Sequence, residues 1–189
     1  MAKVYQLMAN GFEDIEALAP VDILRRGGVE VVTVSVTGED WVESAHGVVV
    51  KADARIENVN MADADLVMIP GGMPGAKNLN EHEGVRNALL RQYEQGRRVA
   101  AICAAPMVLG SLGILKGKRA TCYPGFESYL EGAEYTAHLV EVDGNVTTAK
   151  GPAAAMMYGF CLLTQLTSEA QAEEVKAGML IPELIKLHV

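Results

Sequence analysis

The chain has 189 residues, 50% hydrophobic and 21% charged, with a formal charge of −8 at pH 7; this suits one soluble globular domain spanning 1–189 and argues against a nucleic-acid binder, which needs basic patches against phosphate. The opening MAKVYQLMANGFEDIEA lacks the apolar core of a secretory signal, and no apolar run approaches the ~18 residues of a membrane span, so a cytoplasmic location and no membrane partner are expected. Cys103, Cys122 and Cys161 show no CxxC spacing, which suggests neither a disulfide framework nor a zinc site and fits a reducing compartment.

Lys3 to Ala9 reads as a first strand and Asp14 to Arg26 as a helix, with Leu18, Val21, Ile23 and Leu24 apolar and Gly27-Gly28 closing it. Pro20 is expected to bend or divide that helix. Glu30 to Val36 is a β-branched run of the kind found in strands covered on both faces. Trp41 to Ala52 reads as an excursion containing a strand in HGVVVKA, and ADLVMIPGG as strand then glycine turn. Glu83 to Gln95 is a helix ended by Gly96, RRVAAIC a strand, and APMVLGSLGIL the helix it feeds. Then come a short strand at Ala120 to Tyr123, a helical segment at Phe126 to Leu130 and a hairpin across Asp143-Gly144. PAAAMMYGFCLLTQL reads as an apolar helix, and SEAQAEEVKAGML as a surface helix capped by Ser168. The alternation predicts an α/β sandwich around a mostly parallel sheet, with ligands at the carboxyl ends of its strands.

Three segments fall at those ends: Gly11 to Glu16, Pro70 to Gly75, and Cys103. A buried cysteine is most often a small hydrophobe, and Cys161 among Phe160, Leu162 and Leu163 reads so. Cys103 differs because it sits at a strand-to-helix corner, a nucleophile elbow where helix amides favour the thiolate. In IPGGMPG, paired glycines allow a tight turn; beside the elbow, the N–H groups of Gly72 and Ala104 could form an oxyanion hole. Glu13 and Asp14 suit capping, whereas Glu16, one turn in, points toward the strand ends as a buried carboxyl. No histidine adjoins Cys103. A neutral Glu16 would take that place by donating a hydrogen bond to the sulfur, the proton belonging to the pair.

Taken together, GFEDIEALAPVDILRRGG, IPGGMPGAKNL, VAAICAAPMVLG, GPAAAMMYG and EEVKAGML resemble the DJ-1/PfpI superfamily, on its DJ-1-like (ThiJ-like) branch. The resemblance implies a flavodoxin-like three-layer α/β sandwich with a cysteine elbow, a homodimer and no cofactor or metal. It carries over Glu16 and Cys103 as catalytic, the amides of Gly72 and Ala104 as oxyanion donors, and Gly71, Gly151 and Pro152 as pocket lining. His46 stands where the family has an arginine and Tyr123 where it has a histidine, so both are placed in the pocket. His82, His138 and His188 read as structural or exposed.

The implied activity is a cofactor-independent glyoxalase or deglycase, acting on methylglyoxal or glyoxal and their early glycation adducts under carbonyl and oxidative stress. Nucleic acid enters only as a glycated substrate. The alternative is a non-catalytic redox sensor or holdase chaperone signalling through Cys103 oxidation. A protease-like relative would carry histidine after the cysteine, where this chain has Ala104. A glutamine amidotransferase would need a differently spaced histidine–glutamate pair than His138 and Glu141.

Overall fold

The computed structural model describes residues 1–186, with side chains to residue 183; His188 lies outside them. In chain order the elements begin with β1 (Lys3–Met8), α1 (Asp14–Arg26), β2 (Glu30–Ser35), β3 (Trp41–Glu43), β4 (Val49–Lys51) and β5 (Ala54–Arg55). There follow β6 (Leu66–Ile69), α2 (Gly75–Glu81), α3 (Glu83–Glu94), β7 (Arg98–Ile102), α4 (Pro106–Ser111) and β8 (Arg119–Ala120). The last are β9 (Glu134–Tyr135), β10 (Val140–Asp143), β11 (Val146–Ala149), α5 (Ala155–Leu166), α6 (Glu169–Gly178) and α7 (Ile181–Lys186).

Seven strands form one sheet in the order β10-β11-β7-β6-β1-β2-β5. All its pairings are parallel except the β10–β11 hairpin at the edge. Every residue of β6 and β11 is buried, because helices cover both faces. α1 and α5 pack together in one layer, and α2 against α3 and α4 in the other. From β1 the chain turns to β2 on one side, and β6 flanks β1 on the other. This reversal opens a crevice at the carboxyl ends of β1 and β6, the usual ligand position in such sheets.

The β3–β4 hairpin folds over the start of α1. Its Val42 joins Met8, Phe12, Ala17 and Ala52 in a small second core, and Phe12 pairs with Ser44 as an isolated bridge. Among the described residues no helix is long and apolar enough to cross a membrane.

Several local expectations need correction. Pro20 does not divide α1, which is one helix from Asp14 to Arg26, although proline has no N–H to give the carbonyl one turn back. Burial of Pro20 against Gly159 of α5 holds the helix together instead. The helix after Cys103 is only Pro106–Ser111, because Gly113 at φ +72° turns the chain. β4 starts at Val49, after the Ser44–Val48 turn, and β8 ends at Ala120. α2 has no counterpart in the sequence pattern: Gly75–Glu81 carries few apolar residues to give it a period.

Candidate active site

β7 delivers Cys103 to the crevice beside the end of β6. Its φ is +66°, a left-handed backbone that costs a residue with a Cβ about 1–3 kcal/mol. Two hydrogen bonds hold it there. Cys103 N–H donates to the Ala149 carbonyl at 2.8 Å, and the Cys103 carbonyl accepts from Tyr123 N–H at 2.8 Å. The side chain remains just open to solvent, at 8% exposure. Because α4 is short and starts three residues later, its dipole is a minor aid. The groups that meet the sulfur are individual amides, the N–H groups of Gly72 and Ala104.

Glu16 arrives from α1. Glu13 caps that helix, its Oε2 accepting from Glu16 N–H at 2.7 Å, and Glu13 N–H donates to the Gly71 carbonyl at 3.0 Å. The cap thereby locks the helix start to the glycine turn after β6. Glu16 is 1% exposed. Its Oε2 accepts from Gly71 N–H at 3.0 Å, its carboxyl interacts with the Cys103 thiol, and its Oε1 is buried without a hydrogen-bond partner.

Gly71 stands between acid and thiol. A Cβ there would lie 2.6 Å from both Cys103 Cβ and Glu16 Oε2. Gly72, at φ +87°, has no room either, since a Cβ would meet the Gly11 carbonyl oxygen at 2.6 Å. The glycines are therefore required for the acid and sulfur to approach.

Burial pushes the Glu16 carboxyl up to about 7, helped by the charge of Glu13 and opposed by Cys103 and the Gly71 amide. Burial also pushes the Cys103 thiol up to about 12, with the Glu16 charge adding to it and the Gly72 and Ala104 amides opposing. This corrects the expectation of a simply depressed thiol: an anionic Glu16 is a neighbour that holds the proton on sulfur. The pair loses one proton near 7 and the second near 12.

Tyr123, Gly151 and Pro152 line a shallow apolar groove of about 210 Å³ with Pro124, Leu139 and Lys150. Tyr123 connects it to the elbow through its backbone bond to Cys103. His46 sits on the β3–β4 turn with its ring exposed, and its Nδ1 lies 2.6 Å from Asp14 Oδ2. Asp14 holds the His46 pKa above its ordinary value. The sequence shows no metal spacing, yet folding brings ligand atoms of Glu13, Asp14 and His46 within 4.8 Å of one another. Glu13 is already a helix cap and Asp14 an ion-pair partner, and we assign no metal to them.

Cys122 is buried behind the elbow, and Cys161 faces Gln165 Nε2 at 3.4 Å. His82 caps α3, and His138 binds Glu141 at the sheet edge. Sequence reasoning passes over Tyr158, whose buried hydroxyl lies in the field of Glu16. Its signal is a hydroxyl within the apolar stretch of α5, Ala155 to Leu163.

The DJ-1/PfpI family profile matches residues 2–165. The chain belongs to the DJ-1/PfpI family. Protein DJ-1 homolog B of Arabidopsis thaliana is 36% identical over 181 residues, which are 95% of this chain and 41% of that protein. The chain thus spans under half of that relative's length. A protein named deglycase from Pyrococcus horikoshii is 35% identical over 154 residues, 80% of this chain and 91% of the relative. The structure of oxidized Toxoplasma gondii DJ-1 superposes with a TM-score of 0.91 at 36% identity, covering 95% of this chain and 98% of that one.

Proposed function

We propose that this DJ-1/PfpI protein is a cofactor-independent glyoxalase and deglycase that uses Cys103 as nucleophile and Glu16 as proton carrier. The observation that carries the reading is the buried Glu16 carboxyl brought against Cys103 across Gly71, where a Cβ would lie 2.6 Å from both side chains, with the Gly72 and Ala104 amides favouring the thiolate. The deglycase name of the Pyrococcus relative supports it.

The reactive form holds the pair's remaining proton on Glu16 and the charge on sulfur. Apart from the bond between them, the two anions are unequally supported: two amides act on the sulfur, whereas one amide donates to the carboxylate and Oε1 is left without a hydrogen-bond partner. The ratio of the two forms does not vary with pH, so thiolate rises as the pair loses its first proton near 7.

With methylglyoxal, the sulfur attacks the aldehyde carbon and the carbonyl electron pair moves to oxygen, held by the Gly72 and Ala104 amides. Glu16 protonates that oxygen, giving a hemithioacetal and a carboxylate. The carboxylate then takes the C1 proton, leaving an enediolate; Glu16 returns that proton to C2 as the hydroxyl proton on C1 passes to the C2 oxygen. C1 is oxidised to a thioester as C2 is reduced to an alcohol, so no outside oxidant is needed. Water attacks the thioester, its hydroxyl staying on C1 and its proton going to sulfur, and lactate leaves. A glycated amine would enter as a hemiaminal and release the amine.

We also propose two copies per assembly and a reducing, cytoplasmic setting. Trp41, Val48 and Val49 on the β3–β4 hairpin and Ile15 on α1 give pairing an exposed apolar surface. Oxidation of Cys103 as a signal is the second reading, favoured by the oxidized state named for the Toxoplasma neighbour. Methylglyoxal loss and lactate formation, measured with the wild type and Cys103→Ser, decide between them. The catalytic reading expects turnover that the substitution abolishes; turnover that is absent or survives it refutes that reading.

A further inference from the structure

The α1–α5 contact carries an unused polar group. The two helices pack in the same direction, with Gly159 of α5 against Pro20 and Ile23 of α1, and Leu163 against Gly27 one turn later. At Gly159 the approach is close enough that a Cβ would lie 3.1 Å from Pro20 Cα and 2.8 Å from Ile23 Cδ1. Carried one turn back along both helices, this packing sets the start of α5 beside Glu16. Helical side chains slant toward their own N-terminus, so the Tyr158 ring reaches from its position toward that level.

Tyr158 is 1% exposed and its hydroxyl has no hydrogen-bond partner. The same holds for Glu16 Oε1. Two such orphans in one small region are unusual, because a buried polar group left unpaired is destabilising. Each can satisfy the other: a phenol donates, and a carboxylate oxygen accepts.

We propose that Tyr158 is a positioning residue for Glu16, its hydroxyl donating to Oε1 directly or through one buried water whenever the carboxyl is ionised. The inference deepens the catalytic reading and rests on it for its purpose. In the hemithioacetal the sulfur carries no charge, and Glu16 must exist as a buried carboxylate able to take the C1 proton. Gly71 N–H supports one oxygen, at 3.0 Å; Tyr158 supports the other. The titratable groups that act on the carboxyl are Glu13 from its own helix cap and Cys103 from the elbow, and the Glu16 charge in turn reaches Tyr158 on α5, as does that of Cys161. Among these, Tyr158 supplies the side-chain donor for the anion once Cys103 is consumed.

Tyr158→Phe removes one oxygen and keeps the ring that fills the core. The direct test is the carboxyl carbon-13 resonance of Glu16, titrated in the full chain carrying Cys103→Ser, with and without Tyr158→Phe. The expected result of the second substitution is an upward shift of the Glu16 midpoint by about one pH unit, a tenfold rise in proton affinity. An unmoved midpoint overturns the proposal.

Stability supplies a second readout. A hydroxyl that serves the carboxylate makes Tyr158→Phe more destabilising at pH 8 than at pH 5; a true orphan makes the change neutral or stabilising at both, which refutes the role. In otherwise wild-type enzyme, kcat falls several-fold with KM unchanged, and the acid limb of its pH profile moves upward with the midpoint. A shifted resonance in a protein without aldehyde turnover would uphold this hydrogen bond and refute the proposed reaction.

Discussion

Among the described residues the two most deeply buried glutamates, Glu16 and Glu141, are held in opposite ways. Glu141, on edge strand β10, is met by the Arg119 guanidinium, Nη2 at 3.2 Å, and by the His138 ring, Nδ1 at 2.7 Å. Glu16, in the crevice at the centre of the sheet, has one backbone N–H, a thiol and the like charge of Glu13. A fixed countercharge, the Arg119 guanidinium, makes Glu141 a fixture of the sheet edge. Its lack leaves Glu16 with a proton that can move at neutral pH. Burial alone does not make a carboxyl reactive; burial without a countercharge does.

The largest effects should fall on the central site. Cys103→Ser is expected to lower methylglyoxal turnover by about a thousandfold or more, measured as lactate formed per protein chain. Glu16→Gln keeps the shape but cannot carry the proton, and should lower turnover by about 10²–10⁴-fold. Glu141→Gln, as deep in the protein, should leave turnover unchanged. If the edge variant lost activity as fully as Glu16→Gln, the contrast would fail.

Stability separates the two regions next. Glu16 has a folded pKa of about 7 against an ordinary value of 4.5, so the native state binds more protons than the unfolded chain between those values. Stability should therefore fall as pH rises through this window and level off above it, by up to about 3 kcal/mol at about 1.4 kcal/mol per pH unit. Urea unfolding from pH 4.5 to 8 measures the slope, and Glu16→Gln should flatten it. The edge pair is smaller in effect, because His138 and Arg119 are mostly exposed; Glu141→Gln should cost at most about 1 kcal/mol in the same unfolding assay. Least of all, Asp14→Asn should return the His46 ring titration toward 6.5, followed by its proton resonances.

The order of strands and helices was legible because buried parallel strands leave β-branched runs between capped helices, as at Glu30 to Val36. The crevice was legible too, since Gly71-Gly72 and Cys103 both end such runs. That Pro20 would leave α1 undivided was not legible, because the packing on it comes from Gly159, far away in the chain. The helix after the elbow was overread because Ile114 and Leu115 are apolar and buried, yet they lie beyond a glycine turn. His46 and Asp14 are 32 residues apart, and only the β3–β4 turn brings them together. The direction of the thiol shift was hidden for a similar reason: the pattern puts Glu16 and Cys103 at neighbouring strand ends, but not how deeply each is buried there.

The claim on which the rest depends is that Cys103 and Glu16 share a proton and shed the first near neutrality. Alkylation of Cys103 by iodoacetamide, followed by mass spectrometry across pH ~5–11, reads it directly. The predicted rate rises with a midpoint near 7, set by the pair. A midpoint at or above about 8.5, the value of an ordinary thiol, would contradict it.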